Sequence, residues 1–170
     1  ARSLVIAAAV ALGLYTLFLT VALASYNRND PALNTAAGGD VANWMGGAGA
    51  WFADFGLSIG GVPIILLLPL LGLVAWRLWI GTPQPYWRRQ FAYSFIGISL
   101  VALGAQLWAP DGGTVLKAGW GGLLALVVGG AIEPLFDRVG EPAAALIRFA
   151  TILLLVGLGL WLAWRALRLE

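Results

Sequence analysis

Four stretches of the chain offer water almost nothing to bind, and they limit what it can fold into. Residues 4–25, 62–80, 91–109 and 143–164 are each apolar over a length close to the ~20 residues that a helix needs to cross a bilayer. In hydrocarbon every backbone N–H and C=O must be satisfied within its own segment or within a closed barrel. Runs of this length and uniformity therefore predict helices. The fold class expected is an all-α membrane protein of four transmembrane helices in a single domain, 1–170. Composition agrees, with 61% hydrophobic and 11% charged residues against about 25% charged in soluble domains. Ala22-Leu23-Ala24 has the pattern of a signal-peptidase site. The first run, however, exceeds the roughly 7–15 residues of a signal-peptide core, so it reads as a span.

The spans leave two long loops, 26–61 and 110–142, on one side and a short loop, 81–90, on the other. Pro63 suits the first turn of the second span. Pro69 lies inside that span and is expected to kink it, because proline removes a backbone donor and crowds the preceding turn. Arg2, Arg77, Arg88, Arg89, Arg165 and Arg168 fall on the side of the short loop, against Glu170. On the other side Arg28, Lys117, Arg138 and Arg148 are outnumbered by Asp30, Asp40, Asp54, Asp111, Glu133, Asp137 and Glu141. The excess of Lys and Arg predicts that the short loop and both termini are cytoplasmic. Arg77, Arg88, Arg89 and Arg165 are placed to meet lipid headgroups, with Trp76 and Trp79 as an aromatic belt. Arg148 lies inside the fourth span and calls for an acidic partner, Glu141 or another acid nearby.

Each long loop contains a second device. On a helical wheel over 43–56, Trp44, Ala48, Trp51 and Phe55 share one side, and Gly46, Gly49 and Ala53 the other. An aromatic edge suits the membrane–water interface, and a small-residue edge suits close helix contact. The expectation is a short interfacial helix on the outer side. Aligning Trp44 with Trp120 places Gly46 on Gly122, Gly49 on Ala125 and Ala53 on Gly129. The second copy, 119–136, carries Trp120, Leu124, Val127 and Ala131 on its apolar edge. This predicts two hairpins repeated in parallel about an axis along the membrane normal. Gly72, Ser94, Gly97, Gly157 and Gly159 in the spans could also admit close contacts, most simply within one chain.

The chemistry available is sparse. The chain has no Cys and no His, which removes disulfides, thiolate chemistry and the commonest metal ligand and general base. No Gly-rich stretch is followed by Lys and Ser or Thr, so there is no nucleotide loop. Basic residues are too scattered for nucleic-acid binding. No catalytic, cofactor-binding or metal-binding residue is expected.

Tyr26-Asn-Arg-Asn-Asp30-Pro31, a spacer, and Val41-Ala-Asn43-Trp44-Met-Gly46-Gly47-Ala-Gly49-Ala50-Trp51-Phe-Ala-Asp54 together resemble the amino-terminal membrane domain of the FtsK/SpoIIIE family of bacterial DNA translocases. That family has a Tyr-x-x-x-Asp-Pro stretch after its first span and then an Asn-x-x-Gly-x-x-Gly-Ala segment. The later Gly121-Gly122-Leu-Leu run and the short inner loop are similar too. The resemblance implies a four-span anchor in the bacterial inner membrane, both termini inside, that tethers a hexameric, ATP-driven DNA motor at the division septum and engages other division proteins. It implies homo-oligomers, lipid contact and no nucleic-acid contact by this domain. ATP and Mg are expected only of the motor. The linker, Walker motifs and DNA-reading tail of the family are not in this sequence. It is expected to be a trimmed membrane domain, with a stand-alone relative as the other reading.

The residues expected to carry structure or interaction are Tyr26, Asp30, Pro31, Asn43, Trp44, Gly46, Gly49, Ala50, Asp54, Trp120, Gly122 and Gly129. Asn43 is expected to satisfy backbone groups where the loop meets the short helix, and Gly46 and Gly49 to set the closeness of a contact. Leucine at Gly49 is expected to disrupt folding or partner binding, and leucine at Gly38 is not. The alternative function is a small polytopic transporter or channel subunit, which Pro69 and the repeated hairpins favour. Against it, the spans lack a charge at mid-depth. Solute flux in proteoliposomes separates the two.

Overall fold

Apolar sequence without interruption gives helix wherever hydrocarbon demands it. The computed structural model describes residues 2–32, 40–82, 84–110 and 116–168. Gly38, Pro83, Asp111 and Glu170 lie outside the described residues. Among the described residues six α-helices follow in order: α1 (Arg2–Ala24), α2 (Gly46–Gly60), α3 (Leu67–Ile80), α4 (Trp87–Trp108), α5 (Gly122–Asp137) and α6 (Ala143–Leu167). A 3-10 segment, Val62–Leu66, leads into α3. Among the described residues four segments are long and apolar enough to cross a membrane: Arg2–Ala24, Val62–Ile80, Trp87–Trp108 and Ala143–Leu167. The other two α-helices, α2 and α5, lie between these segments, in the loops where the wheel places them.

Two local expectations are corrected. Pro69 does not interrupt an α-helix. The segment starts as 3-10 over Val62–Leu66 and becomes α-helical at Leu67. Pro69 thus falls in the first turn of α3, where its missing N–H has no intrahelical partner to lose. The basic short loop is also shorter than 81–90. Helix α4 starts at Trp87, so Arg88 and Arg89 belong to its first turn, where they stack on rings. The Arg88 guanidinium is 5.4 Å from the Trp87 ring and that of Arg89 is 5.7 Å from Tyr86. The acidic partner expected for Arg148 is Glu133.

The chain forms two compact units. The first comprises residues 1–55, 65–94 and 164–170. Here α1 packs along α3. Gly13 lies opposite Ala75, and Leu70, Leu71 and Ala75 are buried. Lipid tails are as apolar as leucine, so such contacts are held by close packing rather than by exclusion of water. Gly81, at φ +75°, ends α3. Its N–H donates to Leu78 O at 3.2 Å, and that of Thr82 to Arg77 O at 2.9 Å. This is the paired closure that left-handed glycine allows at a helix end.

The second unit comprises residues 56–64 and 95–163. Its helices approach through glycine. A Cβ on Gly97 would lie 2.6 Å from Gly159 O, and one on Gly159 would lie 2.7 Å from Gly97 O. The α4–α6 crossing is therefore backbone against backbone. Gly157, by contrast, faces open space, as does Gly72 in the first unit. Leu107, Phe136, Ala144 and Ile152 form a small apolar core where α4, α5 and α6 meet. Hydroxyls within the spans turn back on their own helices: Thr16 donates to Leu12 O, Ser99 to Phe95 O and Thr151 to Ile147 O. That satisfies them without a partner helix.

Candidate functional site

A helix end in or near hydrocarbon must dispose of its last carbonyls. At the end of α1 this is done by residues distant in sequence. Asn43 is 4% exposed, and its Nδ2 donates to Ala22 O at 2.8 Å and Ser25 O at 3.2 Å. Its Oδ1 accepts from the N–H of Met45 at 3.0 Å. Its carbonyl accepts from Gly46 N–H at 2.8 Å, at the first residue of α2. One side chain thus ties the end of the first span to the start of the short helix.

Asp30 holds Asn43 in place. It is 2% exposed, and its two carboxylate oxygens accept from the N–H groups of Ala42 at 2.8 Å and Asn43 at 2.9 Å. Backbone N–H groups are strong partners for a carboxylate. The segment before Asp30 is itself turned, with Asn29 N–H donating to Asn27 Oδ1 and Asp30 N–H to Asn27 O. Ser25 adds a bond that the sequence did not single out: its hydroxyl donates to Val21 O and accepts from Trp44 N–H at 3.1 Å. Its only sequence signal is its place, a hydroxyl at the junction of span and loop.

Helix α2 leaves this knot through Gly46, at φ +67°. A Cβ there would meet nothing, so this glycine serves backbone conformation rather than a close contact. Gly49 serves the knot itself, since a Cβ there would run into Asn43 Oδ1 and the Met45 Cβ. Ala50, Ala53 and Asp54 are buried behind it. Phe52 wedges edge-on against Phe18 and Tyr15 of α1, at 5.8 and 6.2 Å between centroids. On the outward edge Trp51 and Phe55 stack in parallel at 5.6 Å, and Trp44 is 77% exposed. Pro31, half-buried, follows Asp30.

Tyr26 closes the arrangement, its hydroxyl donating to Asp54 Oδ1 at 3.3 Å. Burial, reinforced by the Asp54 charge and hydrogen bond, pushes the Tyr26 phenol up to about 12 from its ordinary 10.0. The folded chain thus holds this proton more tightly than the unfolded chain does. The resulting stability is fully present below pH 10.0 and is lost as pH rises towards about 12. The melting temperature of the solubilised chain is therefore expected to fall over that interval. Tyr26→Phe removes this component, so the gap between wild type and variant narrows there. A constant gap from pH 8 to 12 contradicts the assignment.

The other candidates fall in the second unit. Trp120 is exposed, and Gly122, at φ +74°, opens α5 as Gly46 opens α2. Val62 N–H donates to Trp120 O at 2.9 Å. A Cβ on Gly122 would lie 2.5 Å from both Gly61 N and Ile59 O. Gly129 is buried against Gln106, whose Nε2 donates to Pro110 O. Gly61 was not singled out by the sequence, because nothing about the Gly60-Gly61 pair reveals a contact about sixty residues away. Arg88, Arg89 and Arg165 are exposed and Arg77 is half-buried. The knot contains no reactive group poised for turnover. Asp30 and Asn43 spend their donors and acceptors on backbone, which is the chemistry of a rigid platform.

The description "4TM region of DNA translocase FtsK/SpoIIIE" matches residues 1–168. The chain belongs to this family. The matched residues correspond to the non-catalytic membrane region of FtsK, not its ATPase motor. The DNA translocase FtsK of Shewanella oneidensis is 29% identical over 146 residues, which is 84% of this chain and 15% of that protein. The chain thus spans a small part of the FtsK relative it matches. No solved structure matches it. Every residue of the polar knot falls within the stretch that FtsK/SpoIIIE membrane regions match.

Proposed function

We propose that this chain is the membrane anchor of a septal DNA translocase, holding a cytoplasmic motor at the bacterial inner membrane. The observation that carries the reading is membership of the FtsK/SpoIIIE membrane-region family over residues 1–168. The asymmetry of basic residues supports an orientation with both termini cytoplasmic and the two short helices outside. The polar knot supports a rigid outer platform, and the exposed Trp44, Trp51 and Phe55 edge offers it to the interface or to other division proteins. Homo-oligomers, hexameric in the parent motor, follow on the same reading. The structural residues are Tyr26, Asp30, Asn43 and Asp54 in the knot, with Gly122 and Gly129 in the second unit.

The two short helices are read as copies of one device. Each begins at a left-handed glycine, Gly46 or Gly122, two positions after an exposed tryptophan. Each buries a small-residue face containing Ala53 or Gly129. Parallel repetition of the two hairpins is the simplest origin.

A carboxy-terminal fluorescent fusion in dividing bacteria tests the anchor. The fusion is expected to concentrate at constricting septa, and Asn43→Ala to weaken that enrichment. Uniform distribution of the wild-type fusion around the membrane overturns the reading.

A further inference from the structure

The second unit contains a cavity of about 300 Å³ at the loop-side ends of α4 and α6. Its walls are Trp108 from α4, Phe136 from α5, and Phe149 and Ile152 from α6; Arg148, Asp137 and Glu141 supply its charge. Both span ends that form it are the ends facing the long loops, so the cavity lies at the depth of lipid headgroups in that leaflet. Its size is at the lower end of small-ligand pockets, about 300–1,000 Å³, which suits a headgroup rather than a whole lipid.

The charges are arranged for an occupant carrying both signs. Arg148 reaches Glu133 through Nη2 alone, and its guanidinium lies 5.6 Å from the centre of the Phe136 ring. Nη1 and Nε have no hydrogen-bond partner among the described residues. A phosphate is the anion that a planar guanidinium edge receives best. Asp137 and Glu141 are exposed and make no ion pair among the described residues. They attract a cation, and the aromatic walls add to that attraction. A headgroup with only a negative charge would be repelled by both carboxylates. A purely cationic one would leave the free guanidinium edge unused.

We propose that this cavity binds the headgroup of a zwitterionic phospholipid. Its phosphate lies on Arg148, its ammonium lies between Asp137 and Glu141, and its acyl chains descend past Phe149 and Ile152. The site is separate from the polar knot and does not depend on the anchor reading.

Native mass spectrometry of the detergent-released chain tests it. The chain is offered equal amounts of phosphatidylethanolamine, phosphatidylcholine and phosphatidylglycerol with identical acyl chains. Both zwitterionic lipids are expected to be retained about tenfold over phosphatidylglycerol, the scale of one charge-assisted contact. The double variant Asp137→Asn/Glu141→Gln is expected to erase that preference while leaving the melting temperature unchanged. Arg148 is left in place because it also pairs with Glu133. Equal retention of phosphatidylglycerol by the wild type overturns the proposal, as does an unchanged preference in the double variant.

Discussion

Gly122→Ala is expected to destabilise the chain by about 2–5 kcal/mol, combining a conformational and a steric cost. Gly122 sits at φ +74°, where a side chain costs about 1–2 kcal/mol. Its Cβ would also lie 2.5 Å from Gly61 N and Ile59 O. Those are backbone atoms, and they cannot swing aside as the end of a side chain can. Overpacking of this kind adds about 1–3 kcal/mol. Gly81→Ala is the internal control, since Gly81 is at φ +75° with nothing within 4 Å of its Cβ. It should show the conformational cost alone. Thermal midpoints of the two variants, followed by helical circular dichroism in one detergent, read the difference. Equal midpoints would mean that backbone contact between the start of α5 and the 59–61 corner is not tight.

Asn43→Ala is the second large effect, expected at about 2–4 kcal/mol. It leaves two carbonyls at the end of α1 without their donor, and each buried orphan costs about 1–3 kcal/mol. It also removes the acceptor for Met45 N–H. Hydrogen exchange gives the specific signature: protection should fall in residues 41–46 and in the last turn of α1, and remain in α6. Asp30→Asn should be milder, because an amide oxygen can still serve one of the two N–H groups that the carboxylate holds. A change below about 0.5 kcal/mol for Asn43→Ala, the range of ordinary surface substitutions, contradicts the knot.

The spans were legible because hydrocarbon leaves backbone so few options. The wheel over 43–56 was legible for a related reason. Its periodicity separates residues now exposed, Trp44, Ala48, Trp51 and Phe55, from the buried Gly49 and Ala53. Sequence periodicity, however, does not say what a small residue is for. Gly46 and Gly49 look alike on a wheel, yet one permits a backbone angle and the other makes room for Asn43. The helix type around Pro69 turned on a choice between 3-10 and α that apolar sequence does not encode. The partner of Arg148 turned on which nearby acid the packing of α5 against α6 presents. The Gly61–Gly122 contact joins residues far apart in sequence, with no pattern linking them.

The most direct test of the anchor is its orientation. The natural absence of cysteine lets single cysteines report without background. Asp40→Cys and Val139→Cys lie in the two long loops, Thr82→Cys in the short one and Arg168→Cys after the last span. A membrane-impermeant maleimide is added to intact spheroplasts and, separately, to lysed ones. Labelling at 40 and 139 in intact cells, with 82 and 168 reacting only after lysis, is the predicted result. Labelling at 82 or 168 in intact cells, or protection of either 40 or 139, would contradict it.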